Sequence, residues 1–112
     1  MEATAVTMYS LIKISGYIKN TKRSDLQSDT DVITAIISDS DNYCTVELGL
    51  YKSANEAIKK MQTFSPVTIE ITPDSFLVLG FFVQENEYNY SEENYILQYY
   101  GDIHSFNVSA VQ

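Results

Sequence analysis

Apolar residues follow a period of two over most of this chain, and one stretch abandons alternation altogether. The run Phe76-Leu77-Val78-Leu79-Gly80-Phe81-Phe82-Val83 carries seven large apolar side chains and one glycine, with nothing polar to turn toward water. A strand covered on one face alternates. A short continuous run rich in β-branched and aromatic residues is a strand covered on both faces. Burying seven such side chains contributes on the order of 10–20 kcal/mol before chain entropy is counted. The run is therefore expected to be the central strand of a sheet, with Gly80 marking a close approach by another element.

The flanking pattern supplies its neighbours. Met8 to Lys19 alternates, with Met8, Ile12, Ile14 and Ile18 on one phase and Tyr9, Leu11, Lys13 and Tyr17 on the other, which predicts a long first strand. Residues 20–31 are polar around a single Leu26 and read as an exposed loop. Residues 31–38 are ambiguous: Val32, Ala35 and Ile36 suit a helical turn, but the many β-branched residues favour one arm of a hairpin with 43–51. In the second arm Cys44, Val46, Leu48 and Leu50 are expected to face inward. Ser53 and Glu56 form a capping box, Ala54, Ala57, Ile58 and Met61 form an apolar stripe at helical spacing, and Pro66 stops that helix by about Thr63. Val67–Thr72 and the central run make a second hairpin about Pro73-Asp74-Ser75. Residues 84–94 hold four acids and no base and predict a loop or protruding ribbon. Strands are expected again at 95–100, where a helix from Ser91 is the alternative, and at 104–110.

These elements add up to an α+β fold: a single, largely antiparallel sheet of five to six strands with one covering helix at about residues 54–63, in a two-layer sandwich. A length of 112 residues fits one domain. Residues 1–7, ahead of Met8, are expected to be a flexible N-terminal extension and 8–112 the domain itself.

Composition changes the picture mainly through charge. The formal net charge is -8 and the pI about 4.3, which opposes direct binding to nucleic-acid phosphates or anionic membranes. An eight-residue apolar run is far short of the roughly 20 residues a membrane-spanning helix needs. The single cysteine cannot form an internal disulfide, and Glu2 stands where a signal peptide would carry a base; both predict a cytoplasmic protein. No P-loop, GxSxG, GxGxxG or HExxH occurs. Cys44 and His104 are the sole residues of their types, too few for a structural zinc site. Asp29-Thr30-Asp31 and Asp39-Ser40-Asp41-Asn42 lack the glycine and distal glutamate of a calcium loop and read as turns. No enzyme activity, metal or cofactor is expected.

The charges are unevenly placed. All seven bases lie at or before Lys60; from Met61 onward there are seven acids and none. Five of the nine tyrosines fall in that acidic part: Tyr88, Tyr90, Tyr95, Tyr99 and Tyr100. Tyrosine buries a large area at small entropic cost and keeps a polar tip, and acids between tyrosines suit Lys and Arg on a partner. The expectation is a small acidic inhibitor that binds a basic, nucleic-acid-binding site on another protein, presenting carboxylates where phosphates would sit. Phage-type anti-defence proteins and immunity proteins have this general character. The partner-binding candidates are Glu85, Glu87, Tyr88, Tyr90, Glu92 and Glu93, joined by Asp39 and Asp41 if the two acidic loops converge. The alternative is an assembly module that forms a homodimer or larger array through exposed edge strands, the segment Tyr9 to Tyr17 foremost.

Overall fold

The computed structural model describes residues 3–91 and 98–109, with side chains over 6–87 and 103–109. The elements in order are β1 (Ala3–Ile18), α1 (Asp29–Asp39), β2 (Cys44–Tyr51), α2 (Ala54–Met61), β3 (Val67–Thr72), β4 (Ser75–Ser91) and β5 (Gln98–Asn107). They form the α+β fold expected, a five-stranded antiparallel sheet in the order β2-β1-β4-β3, with β5 also paired to β4. β3 and β5 share one flank of β4: β3 pairs with its first residues, β5 with 81–89. β4 is 17 residues long. At about 3.3 Å per residue it spans roughly 56 Å, which matches the 57 Å long axis of the molecule.

β1 lies along the other flank of β4 without a register shift, from Ala3 opposite Ser91 to Ile18 opposite Phe76. Alternation then sorts the core. Ile14, Ile18, Phe76, Val78 and Phe82 form one buried cluster and Leu11, Phe81 and Val83 the other. α1 packs Val32, Ile33, Ala35 and Ile36 on the first cluster, and α2 packs Ala57 and Met61 on the second. Phe64 extends the second by stacking on Phe81, ring centroids 5.0 Å apart. Gly80 is where the sequence predicts a close approach: a Cβ there would sit 2.5 Å from Val108 Cγ2. Leu77 departs from the expectation for the central run. It is 47% exposed, because α2 ends before reaching its part of the sheet.

Three local readings change and one is narrowed. Residues 29–39 are a helix rather than a hairpin arm, so each face of the sheet carries one helix and a second covering layer is added to the sheet and α2. Ser28 starts α1: its side chain accepts from Asp31 N at 3.2 Å, while Asp31 Oδ2 accepts from Gln27 N at 3.1 Å. Residues 3–7 are paired in β1 against Glu87–Ser91 rather than extending freely. Residues 84–91 continue β4 as the protruding ribbon, one of the two forms expected. In β2 a bulge places Leu48 between the residues opposite Leu11 and Ile12, so the expected inward row is split. Cys44 and Val46 share the α2 face with Ser15 and Lys13, Leu50 stands opposite Ser10, and all three are exposed.

Candidate functional site

The far halves of β1, β4 and β5 form a three-stranded ribbon that runs past both helices. Its segments, 3–9, 84–91 and 98–104, contain no Lys or Arg. Glu85 stands opposite Tyr9 and Asp102, and Glu87 opposite Thr7 and Tyr100. The Tyr9 hydroxyl donates to Glu85 Oε1 at 2.9 Å. That bond, with some desolvation and the adjacent negative charge, raises the Tyr9 pKa above the ordinary tyrosine value. His104, at the β5 residue skipped between the partners of Val83 and Gln84, meets the Tyr9 ring edge-on at 5.5 Å. Glu87 is exposed. Glu85 is half-buried at the ribbon root.

Beneath the root runs a polar chain that the sequence pattern does not reveal. Asn86, fully buried, donates from Nδ2 to Ser10 Oγ at 2.6 Å, and Ser10 Oγ donates to Glu47 Oε1 at 2.9 Å. It ties β4, β1 and β2 together at the point where the ribbon leaves the helices. Ser10 was legible as a polar residue on an apolar phase of the first strand, whereas Asn86 lay in a stretch that is polar throughout.

The acidic residues near 39–41 are not part of this ribbon. Asp39 Oδ2 accepts from Asn20 N (2.8 Å), Thr21 N (2.9 Å) and Thr21 Oγ1 (2.9 Å), and Asp41 pairs with Lys19. Asn20 N–H foremost, and Thr21 with it, holds the Asp39 carboxyl below the ordinary aspartate range; Asp41 raises Lys19. Lys19 follows the end of β1 opposite the one that pairs with Glu87. Twelve residues of strand separate the two, about 40 Å. The convergence on which these two candidates depended does not occur among the described residues: Asp39 caps the backbone at Asn20 and Thr21, and Asp41 is held in an ion pair by Lys19. Tyr88 and Tyr90 hold β4 positions opposite Val6 and Thr4. Glu92 and Glu93 lie outside the described residues.

Two further surfaces are apolar. A groove of about 380 Å³ opens beside α1, walled by Ile12, Ile33, Ile37, Tyr43, Phe82 and Ile103 among others. No acid, histidine, cysteine or lysine lines it. On the opposite face, the sheet beyond α2 carries Tyr17, Leu77, Ile69 and Val67 in the open. Among the described residues no three His, Cys, Asp or Glu groups stand close enough to hold a metal ion, and no helix is long and apolar enough to cross a membrane. No protein-family model matches this chain, and comparison with curated proteins and with solved structures finds no match either.

Proposed function

We infer that this chain is a small acidic protein-binding protein whose ribbon end enters a basic site on another protein. The observation that carries the reading is the base-free ribbon. The first strand meets there two segments, 84–91 and 98–104, that lie far along the chain from it, and together they bring Glu85, Glu87 and Asp102 to one end with no cation among them. Such a surface sets up a one-signed field that attracts Lys and Arg and speeds encounter. Tyr88 and Tyr90 belong to the same ribbon, and Glu92 and Glu93 follow it directly in sequence. A basic site built for phosphates is the natural complement, so inhibition by imitation of nucleic acid is the sharpest form of the proposal.

The test is calorimetric titration of an arginine-rich protein with the wild-type chain and with a variant carrying Glu85→Gln, Glu87→Gln, Glu92→Gln and Glu93→Gln. Wild type should bind, and weaken as salt rises. The variant should bind at least tenfold more weakly, a loss of about 1.4 kcal/mol, with a flatter salt dependence. Equal affinity for both chains counts against the proposal.

A further inference from the structure

We propose that the uncovered half of the α2 face is a self-association surface, on which a second copy of this chain packs sheet against sheet. The register defines the surface. Ser15 lies between Cys44 and Leu79, with Val67 beyond; in the next row Tyr17 lies beside Leu77, which lies beside Ile69. These two rows cross four strands and contain no charged residue. Tyr17, Val67, Ile69 and Leu77 are 38–48% exposed, so water covers side chains that a helix covers one row away. With Cys44 and Leu79, and with Val46 beside Lys13 at the margin, they present roughly 500 Å² per copy, toward the upper end of what a monomer leaves open.

Three features favour a second copy as the occupant. Two such patches facing each other would bury about 1,000 Å², the lower bound for a specific interface. A pleated face is complementary to itself, and sheets stack face to face at about 10 Å with interdigitated side chains. The concave groove beside α1, by contrast, cannot pack against its own copy. Finally, a net charge of -8 opposes any association of copies, and opposes it least through a contact that itself brings no like charges together; a charged partner would find nothing to pair with in these rows. This contact differs from pairing through the edge of the first strand. Over Tyr9–Ser15 β1 is already paired with both β2 and β4, so that edge is occupied.

Sedimentation velocity of the full chain, from low micromolar to several hundred micromolar, tests the proposal. The weight-average coefficient should climb toward the dimer value, and more steeply at high salt, because screening removes the repulsion while the apolar contact stays. Ile69→Asp with Leu77→Asp should weaken association at least tenfold, and Ile37→Asp, in the groove on the other face, should leave it intact. Alkylation of Cys44 in the unmutated chain gives a readout independent of those variants: its rate should fall as concentration rises. A wild type that stays monomeric at every concentration and salt overturns the proposal. So does association that Ile37→Asp abolishes while the Ile69→Asp, Leu77→Asp pair retains it.

Discussion

Gly80 and Asp39 show how much single atoms decide in this protein. At Gly80 the neighbour is Val108, a buried side chain with no room to retreat. Gly80→Ala should destabilise the fold by about 1–3 kcal/mol, the cost of overpacking. Gly49→Ala is the contrast. Its Cβ would meet only outer ring atoms of Tyr51, at 2.9 Å, a half-buried side chain at the margin of the second cluster rather than a fully buried one. A change within about 0.5 kcal/mol is expected there, and urea midpoints compare the two. Asp39 makes a pH prediction. Its folded pKa is depressed by donors from Asn20 and Thr21, so its stabilisation is complete above the unfolded pKa and is lost as pH falls through the folded value. Asp39→Ala should therefore cost about 1 kcal/mol near neutral pH, and the gap from wild type should close in acid. A gap that is independent of pH would mean that the charge is not what matters.

At the scale of elements, α1 is the instructive case. Its β-branched content points to a strand, because χ1 restriction lowers helix propensity. Tertiary packing reverses that preference: Val32, Ile33 and Ile36 all reach one buried cluster while Ile37 is 53% exposed, a grouping no strand can make. The signal present in the chain was Ser28-x-x-Asp31 ahead of an apolar run, the same kind of start that marks α2 at Ser53. Ile33→Ala and Ile36→Ala should each cost about 2–4 kcal/mol and Ile37→Ala less than about 0.5 kcal/mol. Ser28→Ala should remove about 1 kcal/mol through the lost cap. Chemical denaturation measures all four. Equal losses at 36 and 37 would contradict the helix.

Across the whole molecule, two surfaces with opposite physics lie on one 57 Å axis. The ribbon is acidic, so the proposed attraction for a basic partner should weaken in salt. The two open rows on the α2 face hold no charged residue, and the proposed self-contact should strengthen as salt screens the net charge. A salt titration followed by both calorimetry and sedimentation separates them, since neither dependence can produce the other. Paired engagement would also double the ribbons presented to a partner, raising avidity without a new contact. Leu77 was expected to be buried in the central run, while Tyr17 belonged to a segment expected to be exposed; the short reach of α2 leaves Leu77 and Ile69 open beside it.

The chain alone determined everything that follows from local periodicity. Alternation identified β1 and β3, the unbroken apolar run identified the middle of β4, and a capped stripe identified α2; in each, backbone geometry dictates which side chains share a face. It also determined the sign of the charge and the absence of bases after Lys60. Tertiary structure decided where those pieces meet. Asp39 and Glu87 look equivalent as acids in polar stretches, yet one strand of about 40 Å separates them, and only the first is used up by neighbouring donors. Pairing register, the β2 bulge and the length of α2 are long-range choices, set by which apolar faces can be buried together. That is why the acidic ribbon was legible beforehand, while its separation from Asp39 and Asp41, and the bare face beside α2, were not.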